Sequence, residues 1–242
     1  MTDAAVRADR APDLLAIGAH TGDVEVTMGA LIAAHTRRGA RATICHVTLG
    51  EGGHKTKTPA EYAPQRRKEA EASARILGAD LVCLPHADIG FAGGPEVLAN
   101  LIDLIRERKP GVVLCHWPGS FHSGHSHAAN CALQAVESAP VARIRPKAPP
   151  WKVGAVWCPE NWEDPFEFHP SLYVDVSDVM DVWEKSCLEH ELFRGGALSF
   201  RYLDYYKGAM QAHGAVAGCL FAVAVASPWS FSPRKASFLP AG

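Results

Sequence analysis

No two of the chain's seven cysteines form a Cys-x-x-Cys pair; they stand at Cys45, Cys83, Cys115, Cys131, Cys158, Cys187 and Cys219. An odd number at irregular spacing in 242 residues argues against a disulfide framework. Most lie in apolar runs such as Val82-Cys83-Leu84 and Val113-Leu114-Cys115, where buried free thiols are expected. No apolar run approaches the ~18–20 residues of a membrane span; the longest, Gly218 to Ala226, falls well short. Met1 to Pro12 is polar and lacks the apolar segment of a signal peptide. Charge of one sign is not in excess: 24 basic and 26 acidic side chains leave a net charge of -2, so composition makes no case for nucleic acid or anionic lipid. There is no internal repeat and no low-complexity tract. These absences lead to the expectation of a reduced, soluble, cytoplasmic protein with neither nucleic acid nor membrane as partner.

What is present is ordinary globular composition, 48% hydrophobic and 21% charged, over a length that suits one large α/β domain. Residues 1–12 are expected to be a loose leader. Beyond them, short apolar runs alternate with segments of helical period. Leu14 to Ala19 reads as a buried strand, 25–38 as a helix, and Ala42 to Leu49 as a second strand. Pro64 to Leu77 reads as a helix stopped by Gly78, and Leu81 to Leu84 as a third strand. Pro95 to Arg108 is a helix opened by proline and closed by Lys109-Pro110. Val112 to Cys115 is the fourth strand and His127 to Ser138 the fourth helix. Such alternation predicts an α/β fold, a Rossmann-like doubly wound and mostly parallel sheet with helices on both faces. Pro140 to Pro150 reads as a loop, Lys152 to Trp157 and Leu172 to Val176 as two more strands, and Ser177 to Phe193 as a helix. The tail 215–242 is left unassigned within a single domain, 1–242.

Twelve histidines are the unusual count, and their positions matter more than their number. In open α/β sheets ligands bind at the carboxyl ends of strands. The first strand ends in Ala19-His20-Thr21-Gly22-Asp23-Val24-Glu25, and the fourth runs into His116-Trp117-Pro118-Gly119-Ser120-Phe121-His122-Ser123-Gly124-His125-Ser126-His127. A lone histidine at a strand end is usually just a polar loop residue, and Gly-His-Ser-His also suits an anion nest. Five histidines meeting Asp23 at strand ends favour a metal. A strand-end histidine, an aspartate three residues on and a histidine from another strand make a three-ligand set with an open position. That set suits catalytic zinc, while Fe2+ or Mn2+ remain open. A nucleotide-binding enzyme without metal is disfavoured, because the first turn lacks Gly-x-Gly-x-x-Gly.

On these residues the chain resembles the PIG-L/LmbE-like zinc deacetylases. Ala19-His20-Thr21-Gly22-Asp23 stands where that family has Ala-His-Pro-Asp-Asp, and His122-Ser123-Gly124-His125 where it has His-Pro-Asp-His. Gly29-Ala30, Arg38-Gly39-Ala40, Thr48-Leu49-Gly50-Glu51-Gly52, Arg66-Arg67-Lys68-Glu69 and Leu77-Gly78 match its continuation. Glu160-Asn161-Trp162-Glu163-Asp164 and Tyr173-Val174-Asp175-Val176-Ser177 are similar to the later part of one branch. The resemblance implies metal ligands at His20, Asp23 and His125, with His122 beside the metal to stabilise charge or protonate a leaving amine. It implies a hydrolase of a small N-acyl substrate, such as an N-acetylated amino sugar, with metal-bound water as nucleophile. A homo-oligomer is also expected.

Two positions depart from that pattern. Gly22 replaces the aspartate that serves the family as general base, and Gly124 replaces the aspartate of the second motif. Either another group is the base (Glu51, ranked ahead of Glu25, or Glu160 or His122), or hydroxide forms without one, or the protein binds a metal and ligand without catalysis. Glu25 is equally explained as a helix-dipole partner. Arg66, Trp117, Glu160 and Trp162 are the candidates for touching substrate, with Phe121 a further possible wall. His116 and His127 are read as supporting neighbours of the ligands or core residues, and Cys115 is not read as a nucleophile.

Overall fold

The computed structural model describes residues 10–144, 148–195 and 200–229. In chain order the elements are β1 (Leu14–Gly18), α1 (Asp23–Arg37), β2 (Ala42–Thr48), α2 (Pro59–Leu77), β3 (Asp80–His86), α3 (Pro95–Arg108), β4 (Val112–Cys115) and α4 (Ser123–Ser138). Then come β5 (Ala155–Pro159), β6 (Leu172–Asp175), α5 (Met180–Leu188), α6 (Tyr202–Ala217) and β7 (Ala222–Ala226). Seven strands form one sheet in the order β3-β2-β1-β4-β5-β7-β6. The first five run parallel, and β7 is antiparallel to both β5 and β6. The expected fold class is the observed one.

Alternation along β1 sorts the core. Leu14 and Ala16 face a layer built by α1, α5 and α6, while Leu15 and Ile17 face one built by α3 and α4. α1 is buried without a break from Val24 to Ala34, because it lies between the sheet and α5. Trp183 of α5 is fully buried and donates its indole N–H to Val26 O at 3.2 Å. The direction of winding reverses between β1 and β4, and there the loops after both strands open into one crevice.

Three boundaries differ from expectation for identifiable reasons. α2 begins at Pro59, not Pro64: Thr58 caps it, accepting from Glu61 N and receiving Glu61 Oε2 on its own N–H at 2.8 Å. Thr58-Pro59-Ala60-Glu61 is thus the true start signal, and Pro64 is carried inside the helix. α4 begins at Ser123, so the second motif is a helix cap and first turn rather than a loop. The helix expected over Ser177 to Phe193 is a regular helix only over α5, flanked by 3-10 turns at Ser177–Val179 and Glu191–Phe193. Within the unassigned tail, β7 is an interior strand, every residue of it buried. Residues 1–9 of the leader and 230–242 of the tail lie outside the described residues. All seven cysteines are free. No helix among the described residues is long and apolar enough to cross a membrane.

Candidate metal centre

β1 delivers His20 and Asp23 to the crevice, and the first turn of α4 delivers His125. His20 Nδ1 lies 2.9 Å from Asp23 Oδ2, and His125 Nε2 lies 3.1 Å from the same oxygen. Donor atoms of His20, Asp23 and His125 all fall within 4.8 Å of one another. These are the three residues the sequence put forward as ligands. Asp23 is held in place because its Oδ2 also accepts the His20 backbone N–H at 2.9 Å. The chain turns there through Gly22 at φ 94°, a backbone state that side chains resist.

The electrostatics suit a cation. Burial opposes charge on His20 and His125, yet carboxylates outweigh it, Asp23 foremost in both cases. The two pKa values are held up to about 9 and about 10. Burial would raise the Asp23 carboxyl, but the facing histidines hold it well below its ordinary value. Two imidazoles that keep protons only because carboxylates surround them are imidazoles whose protons a divalent cation can replace. Two nitrogens and a carboxylate are a donor set for zinc, iron or manganese.

Around the trio, His122 sits exposed at the mouth, its ring stacked on His125 at 4.2 Å and edge-on to His20 at 5.2 Å. Burial and the charges on His125 and His20 lower its pKa. Glu51 lies in a 3-10 turn after β2. One of its oxygens accepts Asp88 N–H at 3.0 Å, and the other is buried with no protein partner. Arg66 is buried and ties the two loops together, donating to Thr21 O and Leu49 O. It also lines, with His20, Asp23, Tyr62, Asp88 and His122, a cavity of about 220 Å3. His116 is buried, accepts Ala19 N–H at Nε2 and stacks on His125 at 4.1 Å. His127, two residues past His125, points round the helix to Phe91 O at 3.3 Å.

Two expectations fail on geometry. Glu25 is fully buried; it accepts Gly22 N–H at 2.8 Å and faces His46 at 3.2 Å and His190 at 3.6 Å. Its carboxylate closes the start of α1, and a group so enclosed has no access to substrate, which removes it as general base. Glu160 turns away to pair with His213 of α6, so neither a base nor a substrate contact is retained there. The aromatic candidates are spoken for by packing. Trp117 donates to Phe166 O and meets Phe168, while Trp162 stacks on Phe200 and meets Phe121 edge-on.

Two carboxylates were missed. Asp88 Oδ1 lies 3.0 Å from His20 Nε2, and Glu163 Oε2 lies 2.9 Å from His125 Nδ1. Asp88 follows the carboxyl end of β3, so the rule that located the histidines points to it as well. Glu163 stands in a turn after β5 in which Glu160 pairs with His213 while Glu163 meets His125, a difference visible only once the loop is seated.

The profile described as PIG-L: GlcNAc-PI de-N-acetylase matches residues 15–136, which takes in both histidine motifs. A 4-oxalmesaconate hydratase of Pseudomonas putida KT2440 is 28% identical over 180 residues, 69% of this chain and 68% of the relative. A diacetylchitobiose deacetylase of Thermococcus kodakarensis is 28% identical over 189 residues, 74% of this chain and 68% of the relative. Among solved structures, the conserved protein TT1542 from Thermus thermophilus superposes with a TM-score of 0.79 at 27% identity, covering 93% of this chain and 98% of that one. Known relatives therefore include both deacetylases and a hydratase that act on small substrates. The profile, which spans half of the chain, together with the shared fold, shows that the chain belongs to the PIG-L, or GlcNAc-PI de-N-acetylase, family.

Proposed function

We propose that the protein is a metal-dependent hydrolase that cleaves the amide of a small N-acyl compound, such as an N-acetylated amino sugar. The convergence of His20, Asp23 and His125 donor atoms within 4.8 Å, at the carboxyl ends of β1 and β4, carries this reading. These three residues would hold the ion, with zinc the first choice and Fe2+ or Mn2+ compatible with the same donors. Zinc bound there supplies Lewis acidity and lowers the pKa of its water to about 7. The base of the usual pattern is missing at Gly22, and Glu51 is the carboxylate we put in that role: one oxygen is fixed by the N–H of Asp88, whose own carboxylate meets His20, and the other makes no hydrogen bond to the protein. His122, at the mouth against both ligand rings, passes a proton to the departing nitrogen. A cavity of about 220 Å3 is below the roughly 300–1,000 Å3 that encloses a drug-sized ligand, so it suits an acylamino group more than a whole oligosaccharide. The deacetylase relative supports an amino sugar as substrate.

A second reading is hydration of a carbon–carbon double bond in a small unsaturated acid. Gly22 favours it, because the deacetylases' carboxylate is absent there, and so does the hydratase relative. Both readings activate water at one centre and differ in product. The test begins with elemental analysis of the purified protein beside Asp23→Ala. About one metal per chain, lost in the variant, is expected; no metal in the wild type after zinc is offered would sink both readings. Panels of N-acetyl amines and of unsaturated dicarboxylic acids then separate them. Primary-amine release supports the hydrolase, whereas loss of ultraviolet absorbance without amine replaces it with the hydratase.

A further inference from the structure

We infer that Glu163 is a positioning residue for His125, anchored through Asn161 to the hydroxyl of Tyr206 on α6, and that this chain decides which ring nitrogen His125 offers to the metal. The inference rests on the proposed metal site. His125 presents its two nitrogens to different carboxylates: Nε2 faces Asp23 Oδ2 at 3.1 Å, and Nδ1 faces Glu163 Oε2 at 2.9 Å. The second contact is short but lies off the line of the ring N–H, and no other acceptor among the described residues serves that nitrogen. A proton kept on Nδ1 by Glu163 leaves the lone pair on Nε2, pointing at the centre.

Stacking alone cannot make that choice. His116 and His122 sandwich the His125 ring at 4.1 and 4.2 Å, which sets the plane of the imidazole but says nothing of its tautomer. Glu163 is itself pinned from four sides. Its C=O accepts Phe121 N–H at 2.9 Å and Ser120 Oγ–H at 3.2 Å, so it moves with the second-motif loop. Its N–H donates to Asn161 Oδ1 at 3.2 Å, and its Oε2 accepts from Asn161 Nδ2 at 3.4 Å. Asn161 Oδ1 also accepts the Tyr206 hydroxyl at 2.6 Å. Asn161 and Tyr206 are 7% and 6% exposed, so the chain works out of reach of bulk water, where such bonds carry more weight. It links α6, which supplies none of the three proposed ligands, to a ligand contributed by α4.

The test is zinc affinity of the apoprotein, read by competition with a chromophoric chelator, for wild type, Glu163→Gln, Tyr206→Phe and Asp23→Ala. Glu163→Gln keeps the shape and removes the charge, and is expected to weaken zinc about 10- to 100-fold. Tyr206→Phe leaves Glu163 in place but releases its anchor, and is expected to weaken zinc by a smaller factor. Loaded with cobalt, Glu163→Gln is expected to show a shifted visible spectrum, which a merely structural role would not produce. Glu163→Gln with zinc affinity within twofold of wild type, while Asp23→Ala has lost zinc, would overturn the inference and leave the metal site standing. A wild type that takes up no zinc would overturn the site and the inference together. Should Glu163→Gln not fold, Tyr206→Phe decides: unchanged zinc affinity in that variant overturns the proposal.

Discussion

Gly124 lies in the first turn of α4, one residue before a proposed ligand, and Gly124→Ala separates stability from metal binding. Helix propensity favours the change, since alanine is better than glycine inside a helix by about 1 kcal/mol. The space does not. A Cβ at position 124 would lie 3.1 Å from both Cε1 and Nε2 of His20 and 3.2 Å from Cε1 of His122, against 3.4–4 Å for ordinary contact. His20 must retreat by some tenths of an ångström, yet it is gripped by Asp23 at 2.9 Å and by Asp88 at 3.0 Å. Metal–ligand distances tolerate only about 0.2 Å, so the displacement is expected to weaken zinc tenfold or more, about 1.4 kcal/mol. Thermal melting of the apoprotein reads the fold, and chelator competition reads the site. An apoprotein that still melts cooperatively, with zinc weakened by more than its change in melting temperature accounts for, is the expected result. Wild-type zinc affinity in Gly124→Ala would refute the reasoning.

Glu51→Gln is expected to retain its metal while losing turnover on whichever substrate the panels identify; full activity would remove Glu51 as base. Burial would raise the Glu69 carboxyl, but His190 facing it at 3.7 Å, hydrogen bonds from Gln65 and the Glu191 N–H, and nearby Arg66 hold it at about 2 against an ordinary 4.5. A depressed carboxylate stabilises the fold above pH 4.5 and stops doing so as pH falls towards 2. Denaturant melts at pH 5 and pH 3 should therefore show a smaller loss of stability in Glu69→Gln than in wild type, and equal losses would contradict the assignment. Truncation after Gly218 removes β7 from between β5 and β6 and is expected to abolish cooperative unfolding measured by circular dichroism.

Legibility followed the range of the interactions. The bounds of α3 and β4 were read correctly because proline and glycine punctuation surrounds an apolar period. α2 starts five residues before the Pro64 that the proline rule favours, because the capping box at Thr58 and Glu61 outranks a proline that the helix carries inside. β7, Ala-Val-Ala-Val-Ala, carries no polar alternation, since both its faces are buried, and nothing local told it from tail. The ligand trio was legible because strand ends deliver residues to a predictable place. Glu25 and Glu160 misled because a carboxylate near the right strand end says nothing about which way it faces. One is sealed against His46 and His190, the other drawn off by His213.

The sequence by itself determined the alternation of strands and helices, the switch point between the first and fourth strands, and His20, Asp23 and His125 as ligand candidates. The first two follow from local periodicity, turn chemistry and the direction of a parallel strand, which also bring Asp23 together with the strand-end histidines; the choice of His125 among them rests on the resemblance to the family's second motif. Only the tertiary structure decided which carboxylates serve the histidines. Asp88 and Glu163 reach His20 and His125 across 68 and 38 residues of chain, and contacts between side chains so far apart are set by how the layers pack. It also decided that a side chain added at position 124 would meet the His20 ring, a contact that no neighbour in sequence reveals.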